Sequence, residues 1–256
     1  MNQGIFYSII TPCYNSARYI KETYASLSAQ TYSNWEWVVV DDCSTDGSLE
    51  ILQKITKQDS RIKLFKTQEN SGAAVARNIA IENSGGDFLA FLDIDDLWDE
   101  NKLQVYYEQI KENNIAFAYS NYLKIGPTGK KGRSVIQTPE HIKFKDLLKT
   151  CSICTSTAVI KKIAVGSTRM RSELRRGQDY IFWLDVLRKE VLAHRISEET
   201  LTYYRVGNKT SLSSNKLKKA IGQWKMYRHY LGLSLIKSVY YFIFYVAAGF
   251  LKQRQF

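Results

Sequence analysis

Along the first half of the chain the apolar positions switch repeatedly between strand-like and helix-like spacing. FYSIIT (6–11) is rich in β-branched and aromatic residues, and ARYIKETYASLSAQ (17–30) carries Ile20, Tyr24 and Leu27 on one helical face. WEWVVVDD (35–42), IKLFKT (62–67), DFLAFLD (87–93) and IAFAYSNYL (115–123) predict strands, whereas SLEILQKITK (48–57), GAAVARNIAIENS (72–84) and NKLQVYYEQIKENN (101–114) predict helices. Asp46-Gly47-Ser48 opens the second helix and Gly85-Gly86 ends the third. This alternation predicts βαβ units, hence an α/β fold with a mostly parallel sheet flanked by helices. Ligands of such sheets bind beyond the carboxyl ends of the strands. Three of those ends carry polar chemistry: TPCYN after the first strand, DDCSTD after the second and DIDD after the fourth.

The second half is less regular. Residues 127–150 read as a connecting stretch, TSTAVIKK (155–162) as a strand, QDYIFWLDVLRKE (178–190) as a helix and AHRISEETLTYYRV (193–206) as extended chain. From Asn215 the chain is helical and basic, with Leu217, Ile221, Trp224, Tyr227 and Leu231 at helical spacing. SVYYFIFYVAAGFL then runs 14 residues without a charge. That is short of the roughly 20 apolar residues a spanning helix needs. Extending it to Leu231 brings in Lys237, so an interfacial attachment to an anionic leaflet is expected. Packing on the domain, or on a second subunit in a homo-oligomer, is the competing use of this tail.

Composition adds three points. With 256 residues and 45% hydrophobic positions the chain can bury a sizeable core. A net charge of +11 points to an anionic partner: nucleic acid, a membrane surface or a phosphorylated ligand. Cys13, Cys43, Cys151 and Cys154 read as free thiols of a reducing compartment, because CSIC alone cannot complete a zinc site. The N-terminus has no basic region ahead of its short apolar run, so a cytoplasmic protein is expected, peripheral at the inner face of the cell membrane.

The acidic run FLDIDDLWDE (91–100) is the strongest chemical signal. Carboxylates this close repel unless a cation or a donor-rich ligand joins them. An EF-hand loop from Asp93 is excluded by Leu97 and Trp98 at its fifth and sixth positions and Gln104 at its twelfth. Neither a P-loop nor a G-x-G-x-x-G fingerprint occurs. In extended chain Asp93 and Asp95 point to one side and could share an octahedral Mg²⁺ or Mn²⁺ that keeps positions open for phosphate oxygens. Asp99 and Glu100 suit the N-terminus of the following helix.

Together SIITPCYNSARYIKETYASLSAQTYSNWEWVVVDDCSTDGS, NSGAAVARNIAI and GDFLAFLDIDDLW resemble the inverting family 2 glycosyltransferases of the GT-A fold, in block order and spacing. The resemblance covers about 6–125 strongly and 150–210 weakly. It implies a glycosyltransferase domain over 1–212, with a donor half to about 125 and an acceptor half from 126, followed by the tail 213–256. Thr11, Pro12, Tyr14 and Asn15 would border the base and ribose of a nucleotide-sugar donor. Asp42 would accept a hydrogen bond from the base, as in users of uridine-diphosphate sugars, and Arg77 would lie near the base or diphosphate. Asp93 would approach the ribose, Asp95 would be the principal metal ligand, and Asp96 would assist through water. Cys43 departs from the glycine usual at its place in the family's block.

On the acceptor side the family's E-D-x-x-x-W is matched by GQDYIFW, which implies Asp179 as general base, with Gln178 replacing Glu. Asp185 is a weaker candidate. Arg169, Arg171, Arg175 and Arg176 are either an anion-binding loop or a solvated basic one. Arg205 and Ser211, in YRVGNKTSLS, would contact the donor, and His141 and His194 read as structural or surface residues. The expected activity is transfer of a hexose-type sugar to a glycan or lipid-linked acceptor, of the kind used for bacterial surface polysaccharide. A non-catalytic nucleotide-sugar-binding subunit at a membrane is the alternative. A nucleic-acid partner is disfavoured, because the acidic cluster opposes a polyanion and no nucleic-acid module occurs.

Overall fold

A computed structural model describes residues 4–174, 176–207 and 216–253. The chain runs β1 (Tyr7–Cys13), α1 (Ala17–Ser28), β2 (Trp35–Asp41), α2 (Ser48–Gln58), β3 (Ile62–Lys66), α3 (Ala73–Glu82), β4 (Phe88–Phe91), β5 (Leu97–Trp98), α4 (Lys102–Asn113), β6 (Phe117–Tyr119) and β7 (Tyr122–Ile125). It continues through β8 (Lys131–Ile136), β9 (His141–Ile142), α5 (Phe144–Lys149), a 3₁₀ turn (Thr155–Thr157), β10 (Val159–Lys161), α6 (Lys162–Val165), α7 (Gln178–Leu187), β11 (Ala193–Arg195) and β12 (Thr202–Arg205). The tail forms α8 (Lys216–Lys225), a π turn (Met226–Tyr230) and α9 (Leu235–Gln253).

Period-two alternation sorts the strands into two cores. Ile9, Trp37, Val39 and Ala90 face α1, α2 and α4 on one side of the main sheet. Ile10, Val38, Val40, Leu89 and Phe91 face α3, α5 and α7 on the other. Because both faces are covered, β2 is buried at every position and reads as a nearly continuous apolar run. Within the strand Glu36 is met by Ser8 Oγ at 2.6 Å and Lys63 Nζ at 2.7 Å, and the other polar residue, Asp41, ends it.

The main sheet has the order β3-β2-β1-β4-β10-β6-β11-β9. β1, β2, β3 and β4 are parallel, as are β6 and β11, while β10 runs antiparallel to both β4 and β6. Thus the sheet is mixed but mostly parallel. Gly86 makes its tight entry into β4: an added Cβ would lie 2.6 Å from Phe6 O and 2.7 Å from Ser8 N. A smaller sheet, β5-β12-β7-β8, stands beside it.

Several elements depart from the expected boundaries. The stretch 115–123 is two strands in different sheets, broken at Ser120-Asn121. The buried Asn121 pins that bend by accepting from Thr138 N (2.9 Å) and donating to Gln137 Oε1 (2.8 Å). Likewise 193–206 splits into β11 and β12. The connecting stretch 127–150 contains β8, β9 and α5, and β5 was not legible because it is two residues long. TSTAVIKK begins as a 3₁₀ turn and only then becomes a strand.

The tail packs on the domain. Met226, Tyr227 and Leu231 belong to the core that contains α5 and α7, and Gln223 Nε2 donates to Tyr180 OH at 3.0 Å. Tyr227 OH donates to Leu148 O. Among the described residues no helix is long and apolar enough to cross a membrane.

Candidate active site

The loops after β1 and β2 are laced together. Asn15 takes a left-handed conformation (φ 46°), and its Oδ1 accepts from Thr45 N at 2.8 Å. Asp46 accepts from Ala17 N at 3.0 Å and from Ser48 N at 3.1 Å. Burial opposes the Asp46 charge, but the Ser48 and Ala17 hydrogen bonds outweigh it and lower its pKa. Cys43 also has a positive φ of 57°, a conformation glycine adopts without strain, which accounts for glycine being the usual residue there. Its thiol donates to Thr67 O at 3.1 Å.

Two adjacent carboxylates at the end of β2 are buried with different partners. Asp42 accepts from Thr67 Oγ1 (2.9 Å), Ser71 N (2.9 Å) and Gly72 N (2.7 Å), which fastens the entry to α3. Asp41 Oδ2 accepts from Ser44 N at 3.1 Å, while its Oδ1 has no hydrogen-bond partner among the described residues.

Between these loops and the end of β4 lies an open cleft of about 470 Å³, lined in part by Pro12, Asn15, Arg18, Arg77, Asp93 and Asp95. Arg77 enters from α3 and its Nη2 bonds Asp93 Oδ1. Burial opposes the Arg77 charge, yet Asp93, with Asp179 and Asp95 farther off, outweighs it and raises its pKa. Arg77 Nε is buried and without a partner among the described residues. Two carboxylates of the acidic turn and one from α7 therefore lie around one guanidinium at the strand ends, with Asp93 bonded to it.

Beneath the cleft, a second network holds the acidic turn. Asp96 is fully buried: Ser156 Oγ donates to one of its oxygens and Arg205 N donates to the other at 2.7 Å. Burial, with Asp95 and Asp93 beside it, pushes its carboxyl well above the usual range. Asp93 N in turn donates to Ser156 Oγ at 3.1 Å. The Arg205 guanidinium donates to Asp95 O, Gly126 O and Pro127 O and pairs with Glu22 at 2.7 Å.

Asp179 sits in the first turn of α7, half-buried, and accepts from Thr155 Oγ1 at 2.9 Å. Asp185 pairs with Arg171 at 3.1 Å. Arg169 bonds Glu82 at 3.3 Å as well as Gly166 O and Thr168 O, so these two arginines bind parts of the fold to one another. Arg176 is exposed, and Arg175 and Ser211 lie outside the described residues.

Pro12, Asn15, Arg77, Asp93 and Asp95 thus share the cleft, and Tyr14 is exposed beside it. Two of the expected residues are engaged inside the fold. Thr11 is buried on the Ile9 face of β1, where its hydroxyl accepts from Trp37 Nε1 at 2.8 Å, so it braces β1 against β2. Asp96, expected to assist the metal through water, is turned inward with both oxygens engaged and anchors the turn. Arg205, expected at the donor, is likewise occupied within the fold. Arg18, Thr155 and Ser156 were missed. Nothing in their residue types marks them, although Arg18 opens the helix after TPCYN.

The fold is one found in glycosyltransferases. A crystal structure of TarS from S. aureus in complex with UDP matches with a TM-score of 0.68 at 25% identity, over 79% of this chain and 61% of the TarS chain. The profile described as "Glycosyl transferase family 2" matches residues 8–172. A Bacillus subtilis (strain 168) glycosyltransferase named for teichuronic acid biosynthesis, TuaG, is 39% identical over 238 residues, 93% of each chain. An Escherichia coli relative named UDP-Glc:alpha-D-GlcNAc-diphosphoundecaprenol beta-1,3-glucosyltransferase WfgD is 34% identical over 245 residues, 96% of this chain and 94% of its own. The chain belongs to glycosyl transferase family 2 and is a glycosyltransferase with the GT-A architecture.

Proposed function

We propose that this glycosyltransferase moves a sugar from a uridine-diphosphate sugar to a lipid-linked glycan acceptor in surface polysaccharide synthesis, with inversion at the anomeric carbon. The observation that carries the reading is the convergence of Asp93, Asp95 and Asp179 on Arg77 at the open strand ends. The donor assignment draws support from UDP in the TarS complex and from the name of WfgD, which also supplies the lipid-linked acceptor. The pathway draws on TuaG.

In this reading Pro12, Tyr14 and Asn15 border the base and ribose. Asp42 keeps part of its roughly four acceptor sites for the base. The Arg77 guanidinium lies near the diphosphate, while Asp93 approaches the ribose. Among the described residues no three His, Cys, Asp or Glu side chains form a closed metal cage. Asp95 on the open cleft, with Asp93 beside it, instead fits a Mg²⁺ or Mn²⁺ completed by phosphate oxygens and water. Such an ion, when bound, offsets the charge growing on the leaving diphosphate. Asp179 accepts the proton of the acceptor hydroxyl as its oxygen attacks the anomeric carbon and the bond from that carbon to the diphosphate breaks. Residues 1–212 form the catalytic unit, its acceptor half beginning near 126, and 213–256 bring it to the membrane surface where lipid-linked acceptors reside.

Calorimetric titration of UDP with and without Mn²⁺ tests the donor site. Wild-type protein is expected to bind only with Mn²⁺, and Asp95→Asn to lose that binding. Equal binding by Asp95→Asn would overturn the assignment. Asp179→Asn should bind UDP normally yet lose about 10²–10⁴-fold in kcat. Unchanged turnover in this variant would remove Asp179 as the base.

A further inference from the structure

We infer that the outward face of α9 is a docking surface for an anionic lipid bilayer, on which the helix lies flat. This rests on the proposed function only for the source of the lipid acceptor. The surface itself stands on separate observations.

α9 is apolar on two opposite sides. Its inner side is held by the domain: Tyr241 packs near Tyr227 with centroids 6.4 Å apart, Phe242 meets Trp224 edge-on at 5.5 Å, and Ser238 is buried. Half a turn away, Ile236, Val239, Tyr240 and Ile243 project outward at helical spacing, with Ile236 83% and Ile243 62% exposed. Phe244 and Val246 widen the strip. A surface helix ordinarily turns polar residues to water on this side. Here the solvent side is apolar, and a contiguous apolar strip marks an interaction site.

Charge identifies the occupant. Ten of the 36 Lys and Arg residues lie beyond Thr200, and none of the 25 Asp and Glu residues does. The first 200 residues are therefore nearly neutral, and almost the whole net charge belongs to the segment that contains the strip. Lys237 is exposed on the helix itself, and Lys149 of α5 reaches within 5.6 Å of the Phe244 ring. An apolar strip edged by lysines matches the boundary between headgroups and acyl chains of an anionic leaflet. A second copy is a poor fit, because a two-fold contact would set this acid-free basic segment against itself. The helix is 19 residues long and tied down along its inner side, so it can lie in the interface without spanning it.

The test is flotation of the full chain with phosphatidylcholine vesicles, either pure or containing about one third phosphatidylglycerol. Binding to the anionic vesicles alone, weakened by added salt, is expected. Ile236→Glu/Ile243→Glu, which alters only exposed positions, should bind at least tenfold more weakly and keep wild-type UDP titration and thermal midpoint. Equal flotation of the variant would overturn the inference. So would a failure of wild-type protein to float, or a wild-type dimer in light scattering that the variant dissolves. Loss of UDP binding with flotation intact would instead fault the donor site, so the two failures are distinguishable.

Discussion

Thr155 and Ser156 are neighbours on one turn, yet they serve different parts of the site. The Thr155 hydroxyl holds Asp179, whereas Ser156 Oγ joins Asp93 N to the Asp96 carboxylate. Thr155→Val should therefore lower kcat about tenfold, the worth of one hydrogen bond to a charged group, and leave UDP affinity unchanged. Thr155→Ser should restore it. Steady-state kinetics beside calorimetry check this, and equal losses in both readouts would mean general damage to the turn. At this scale the sequence carried the residue types of Asp93, Asp95, Arg77 and Asp179, with the aspartates at element ends and Arg77 within α3. It did not carry side-chain direction. Thr11 is two residues from Ile9 and shares its buried face, and Asp96 turns inward because Ser156 and Arg205 wait there, more than 50 residues away in sequence.

Among the elements, α7 depends on a glycine and on the tail. Gly177 precedes it with φ 68°, and an added Cβ would lie 2.2 Å from Met226 Cε. Gly177→Ala thus combines a strained backbone with a displaced core methionine. We expect a loss of about 1–3 kcal/mol in urea unfolding and earlier proteolytic cleavage after residue 200, and Met226→Ala in the same chain should not restore the midpoint, because the backbone strain stays and the core loses a buried side chain. Long periodic elements such as α1, α2, α4 and β2 were legible because each writes its burial into its own spacing. Short elements were not. β5 and β9 have two residues each, and the break between β6 and β7 is imposed by Asn121 reaching Thr138 and Gln137 across the smaller sheet.

For the whole molecule, one buried charge shapes the response to pH. Lys102 is fully buried against Thr202 Oγ1 (2.8 Å), Ser156 O and the Trp98 and Tyr106 rings, and burial lowers its pKa to about 7. In the unfolded chain a lysine keeps its proton to about pH 10.4. Between these values the unfolded state binds more protons, so this residue makes stability rise as pH increases through the window. Lys102→Met should flatten that rise, read as thermal midpoints from about pH 6 to about pH 9.5. A slope unchanged by the substitution would contradict the assignment.

The reversed strand β10 has a further consequence for how such a chain can be rearranged. It comes after residue 125 in sequence, yet it fills the slot between β4 and β6, which both come before it, and brings the Thr155–Thr157 turn with it. The parts of the chain before and after residue 125 are therefore interleaved, not joined end to end. A chimera spliced near residue 125 inherits its central strand from one parent and both flanking strands from the other. New acceptor preferences would then be reached by exchanging loops around an intact 155–161 segment, since trading whole halves would split the middle of the sheet between two ancestries.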